Sequence, residues 1–152
     1  LHVKTRCIGE SAQMEGISPD LNQSIRTTLA DLTRGKPWLL HQVGRVSVVA
    51  VSVANALQMD LDSMIAIRIG AEMSVVKGPA VEHWLERPLT ETEQSIIDLS
   101  LEYDYQQFHR ADPNSEFSKI DGWLHEEATR KFGEDLVQAL ESVRGLIQPV
   151  ES

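Results

Sequence analysis

Five histidines, His2, His41, His83, His109 and His125, are the side chains best suited to bind a transition metal or move a proton near neutral pH. They sit in different segments without the paired spacing of helical metal sites, and they read as solvated or locally hydrogen-bonded rings. The carboxylates Glu102, Asp104, Asp112, Glu116, Glu126 and Glu127 could offer oxygens to a hard cation. Consecutive residues leave a helix on different sides, so this set reads first as a solvated acidic face. A metal site built from Asp104, His109 and Asp112 is the enzymatic alternative. For phosphate recognition the candidates are Arg45, Arg68 and Lys77, the arginines for their planar fork and Lys77 because Gly78 beside it lets backbone approach a ligand. Surface solubility is the competing reading of all three. Trp38, Trp84 and Trp123 each precede a leucine, as core or interface anchors do, and Trp38 and Trp84 are the candidate anchors for a partner. Tyr103, Tyr105 and Phe108 could stack on a base but fit core packing better. The chain has no Walker loop, no GxGxxG, no HExxH, no GxSxG and no EF-hand loop, and that silence counts against an enzyme.

The elements that must position these residues belong to a chain of 152 residues, the length of one domain. The formal charge is -9, with 14 lysines and arginines scattered among 23 aspartates and glutamates, which disfavours nucleic acid and anionic membranes as partners. No apolar run approaches the roughly 18 residues of a membrane span. Cys7 is the only cysteine, so neither an internal disulfide nor a CxxC zinc site can form, which suits a reducing cytoplasm. The start, Leu1-His2-Val3-Lys4, shows neither an initiator methionine nor a signal-peptide pattern, and the expectation is a piece of a longer protein.

Residues 1–17 read as a lead-in or linker, and residues 18–152 as a single helical domain. Ser18-Pro19 opens a helix with Leu21, Ile25, Leu29 and Leu32 on one face, and Gly35 and Pro37 close it. Residues 38–57 carry Leu40, Val43, Val46, Val49, Ala50, Val53, Ala54 and Leu57 at helical spacing, the pattern of a buried central helix. Asp60 or Asp62 caps the next, which turns Leu61, Ile65, Ile69 and Met73 inward and ends at Gly78-Pro79. A short helix follows around residues 81–86. Thr90-Glu91-Thr92-Glu93 is a capping box, opening a helix with Ile97, Leu101, Tyr105 and Phe108 on one side. Asp112-Pro113-Asn114-Ser115 is a turn, a helix around residues 120–130 ends at Gly133, and a last helix holds Leu136, Val137, Leu140, Val143 and Ile147. The class is all-α, a compact bundle of six or seven helices.

In this order the motifs resemble those of the HD-GYP branch of the HD-domain phosphohydrolases, over about residues 18–147. The segment His41-Gln42-Val43-Gly44-Arg45-Val46 is similar to the family's His-x-x-Arg-Val, with Gln42 at the ligand histidine once Arg45-Val46 is aligned. Gly70-Ala71-Glu72-Met73-Ser74-Val75-Val76-Lys77-Gly78 resembles the helix that carries the family's His-Asp pair, with Ser74 and Val75 in its place. Trp84-Leu85-Glu86-Arg87-Pro88-Leu89-Thr90-Glu91-Thr92-Glu93 resembles Ile-Leu-x-Lys-Pro-Gly-x-Leu-Thr-x-x-Glu shortened by two, the most specific stretch of the match. About 60 family residues that contain the Gly-Tyr-Pro signature have no counterpart. Leu99-Ser100-Leu101-Glu102-Tyr103-Asp104 is similar to Val-Ala-Asp-x-Tyr-Asp, with Leu101 at a metal-binding aspartate, and residues 132–140 resemble Phe-Asp-Pro-x-Leu-Val-x-Ala.

The resemblance implies a truncated HD-domain-like fold without the two- or three-metal centre that hydrolyses cyclic di-GMP, since a metal-activated water needs converging imidazoles and carboxylates. It implies no cofactor and no activity by the family mechanism. The expected role is an inactive bacterial signalling module, attached to a sensory or receiver domain, that acts through a protein partner or a homodimer. The alternatives are a cyclic di-GMP receptor using Arg45, Arg68 or Lys77, or less favourably a metal-dependent phosphohydrolase.

Overall fold

The computed structural model describes residues 17–108 and 124–147. Every described element is an α-helix: α1 Pro19–Leu32, α2 Pro37–Ala56, α3 Leu61–Val76, α4 Val81–Leu85, α5 Glu91–Phe108, α6 His125–Phe132 and α7 Glu134–Ile147. Among these residues no helix is long and apolar enough to cross a membrane. Residues 1–16, the expected turn at Asp112-Pro113-Asn114-Ser115, the start of the expected helix at residue 120, and His2, Cys7, His109, Glu116 and Trp123 lie outside the described residues.

Local chemistry sets the helix starts. Ser18 Oγ accepts from the Leu21 amide at 3.1 Å, and Pro19 occupies the first turn, where its missing N–H is not needed. Of the two aspartates expected to cap α3, Asp60 does so, accepting from the Ser63 amide at 2.8 Å. The capping box of α5 is reciprocal: the Glu93 amide donates to Thr90 Oγ1 at 3.1 Å and the Thr90 amide to Glu93 Oε1 at 2.9 Å. Gly133, at φ +95°, separates α6 from α7 in a conformation few other residues adopt.

The helices bury two apolar clusters that share α2 and α3. One is built on Val46, Val53, Ile67, Ile96, Leu99, Val137 and Leu140, and the other on Ile25, Val43, Ile69, Met73 and Val81. The central helix is α3 rather than α2: every residue from Ile65 to Met73 is buried, whereas α2 keeps a solvent side. The reason is position, since α3 packs against α1, α2, α4 and α5. Leu40 and Leu61, expected inside, are exposed, as is Leu32 at the end of α1. The expected inner face of α5 is corrected too. Tyr105 and Phe108 are exposed, and the buried set is Glu93, Ile96, Ile97, Leu99, Ser100, Tyr103, Asp104 and Gln106. Four polar side chains in that set displaced a face counted from apolar residues alone.

Candidate functional site

Arg87, Thr90 and Glu93, three polar residues of the most specific motif, form one clasp at the start of α5. Glu93 is 1% exposed, and its two carboxylate oxygens accept from Arg87 Nη1 and Nη2, each at 3.0 Å. Arg87 Nη2 also reaches Asp62 Oδ2 at 3.1 Å, which ties the loop before α5 to the first turn of α3. Burial pulls the Glu93 carboxyl upward, but the Arg87 fork and the Thr90 amide outweigh it and hold the group below its ordinary range. The same hydrogen bond, donated to Glu93, raises Arg87 against its partial desolvation. The Arg87–Glu93 bonds of the clasp are directed inward, at its own helix start, while Glu86, Pro88, Glu91 and Thr92 of the same motif are exposed.

Arg45 joins two other motif segments. Its Nε and Nη2 donate to Asp104 Oδ1 and Oδ2 at 2.7 and 3.2 Å, and its guanidinium lies 4.1 Å from the centroid of the Phe108 ring. Asp104 is 2% exposed, so the pair sits at the boundary of the core and fastens α2 to the last turns of α5. Arg68, the second phosphate candidate, is 3% exposed and donates to Glu72 Oε2 at 3.1 Å within α3. Burial raises the Glu72 carboxyl above its ordinary value despite Arg68 and the nearby Arg26. Glu72 Oε1 and, on α1, the buried Asn22 Oδ1 have no hydrogen-bond partner among the described residues.

Lys77, the third candidate, is exposed at the C-cap of α3 in the left-handed conformation. It lines an open cleft of about 420 Å³ with Ser74, Glu82 and Gln94 at polar positions and Gly70, Met73, Val81 and Leu89 at apolar ones. Neither Arg45 nor Arg68 lines that cleft, so the three expected phosphate ligands do not share it. Gly70 matters to its shape: a Cβ there would stand 2.6 Å from Ile97 Cδ1 and 3.3 Å from Leu89 and Val81. Trp38 is 63% exposed on the first turn of α2, whereas Trp84 is half-buried against the second cluster, its Nε1 donating to the Pro79 carbonyl at 3.3 Å.

The four residues that the resemblance sets against metal ligands have chemistry that does not suit such a centre. Val75 and Leu101 are half-buried and pack with the core, offering alkyl carbon and no lone pair. Gln42 is half-buried on α2 and Ser74 is exposed on α3, and neither belongs to the imidazole and carboxylate set that such a centre uses. Among the described residues no three of His, Cys, Asp and Glu gather closely enough to hold an ion. Of the alternative trio, Asp104 spends both oxygens on Arg45, while His109 and Asp112 lie outside the described residues.

Sequence reasoning missed Asp104 as the partner of Arg45, Asn22 as a buried residue, and Gln106, whose Oε1 accepts from the Leu124 amide at 3.1 Å before α6. A signal existed for the first, because a carboxylate in a run that otherwise belongs to the core requires a cation. No family model, curated protein or solved structure matches the chain.

Proposed function

We propose that this chain is a catalytically inactive HD-GYP-like module that works in the cytoplasm of a bacterium by binding protein, as a homodimer or with a foreign partner. The observation that carries the reading is a division among the resembled motifs. Their scaffold residues persist and bind one another, in the Arg87–Thr90–Glu93 clasp and the Arg45–Asp104 pair. Their ligand positions hold Gln42, Ser74, Val75 and Leu101. The exposed Trp38 supports contact with protein, because a rigid aromatic ring left in water is the commonest kind of interface anchor.

A second reading, a nucleotide receptor, rests on the cleft beside Lys77. Against it, Arg45 and Arg68 already hold Asp104 and Glu72. An elemental metal assay on the purified chain and a thermal shift with cyclic di-GMP separate the readings. The interaction module predicts no stoichiometric metal and no shift. A shift without metal makes the chain a receptor, and stoichiometric metal with phosphodiesterase turnover overturns both.

A further inference from the structure

We infer that the partner of the exposed Trp38 face is a second copy of this chain, held by opposite charge as well as apolar contact; the inference rests on the interaction-module reading and names its partner. Residues 18–45 carry four basic residues, Arg26, Arg34, Lys36 and Arg45, against Asp20 and Asp31. Residues 46–108 carry ten acidic residues against Arg68, Lys77 and Arg87. Residues 18–45 are thus a net-basic stretch in a chain with a formal charge of -9, and three of the six exposed large apolar side chains among the described residues, Leu32, Trp38 and Leu40, belong to it.

On the first turns of α2, Trp38, His41 and Arg45 follow at intervals of three and four residues and share one stripe, with Lys36 as the N-cap. Arg34 is engaged by Asp31 at 2.6 Å and Arg45 by Asp104 at 2.7 Å, whereas Lys36 has no carboxylate within salt-bridge distance among the described residues and is the unpaired cation beside Trp38. On α5, Glu91, Asp98, Glu102 and Tyr105 fall on one stripe by the same helical arithmetic. Glu91, Asp98 and Tyr105 are exposed, while Glu102 is half-buried, with Lys131 3.6 Å away. The Arg45–Asp104 pair and the Phe108 ring fasten the first stripe's helix to the end of the second's.

The aromatic corner with its unpaired Lys36 and the acidic, aromatic-ended stripe on the neighbouring helix are self-complementary. A two-fold pair lays each basic corner against the other copy's α5, which is the reciprocal contact of an isologous interface. A single copy leaves Trp38 63% exposed; the pair covers it.

The test is the mass of the purified chain by light scattering and sedimentation at about 20 mM and about 500 mM salt, where screening lengths differ several-fold. A dimer at low salt that weakens at high salt is expected. Trp38→Ser and Lys36→Glu should each weaken it about tenfold or more, with unchanged helix content because both residues are exposed. Asp98→Lys combined with Lys36→Glu should restore association that either change alone removes. A monomer at both salts overturns the inference, as does a dimer indifferent to salt and to all three changes. Neither result touches the interaction-module reading, which fails on metal or nucleotide binding instead.

Discussion

Replacing Glu93 by glutamine removes one charge and almost no volume from a site that is 1% exposed, which makes Glu93→Gln the sharpest probe of the clasp. In the native protein the carboxylate accepts two charge-assisted bonds from Arg87 and one from the Thr90 amide. Glutamine can keep the Thr90 bond through its carbonyl, but its amide then faces Arg87 donor to donor. A hydrogen bond to a charged group contributes about 1.5–3 kcal/mol. Arg87 is 29% exposed and retains Asp62, so solvent and the second carboxylate soften the loss, and about 2–3 kcal/mol in total is expected. With a urea m-value of roughly 2 kcal/mol/M, the unfolding midpoint at pH 7 falls by about 1–1.5 M while m stays constant. The sign with pH follows from the depressed native pKa: the stabilisation is fully present above the ordinary carboxyl value of 4.5 and disappears as pH falls through the lower native value. The gap between the native protein and the variant must therefore close in acid. A midpoint shift below about 0.2 M at pH 7, or a gap that widens in acid, refutes the clasp as a source of stability.

Two further predictions concern the core and the cleft. Gly70→Ala drives a methyl into Ile97, which is fully buried, so overpacking of about 1–3 kcal/mol exceeds the roughly 1 kcal/mol that alanine gains as a helix former, and urea unfolding will show a net loss. Glu72, with its pKa raised, acts opposite to Glu93: the native state holds the proton more tightly than the unfolded chain, so this group's contribution falls as pH rises from 4.5 through the raised value. Stability of Glu72→Gln measured across that interval should lack this downward component, and an unchanged slope would show that Glu72 titrates normally.

The all-α class was legible in the periodicity, and the starts of α1, α3 and α5 in the capping residues, because capping acts over a single turn. Ser18, Asp60 and the Thr90–Glu93 box each bond an amide three residues away, so the chemistry that starts the helix is written beside it. That Gln42, Ser74, Val75 and Leu101 are not imidazoles or carboxylates is equally a matter of residue identity. What only the tertiary structure decided is which polar groups are buried and with whom. Arg45 and Asp104 are 59 residues apart and Arg87 and Asp62 are 25 apart, distances over which no helical period carries information. Those pairings drew Asp104 inward, left Tyr105 and Phe108 exposed, and turned two expected phosphate ligands into internal ties. The two tryptophans parted for the same reason. Each stands beside a leucine in sequence, yet packing half-buries Trp84 against Pro79 and the α3 side of the core and leaves Trp38 in water, because burial depends on what the fold brings opposite a side chain and not on its neighbours along the chain.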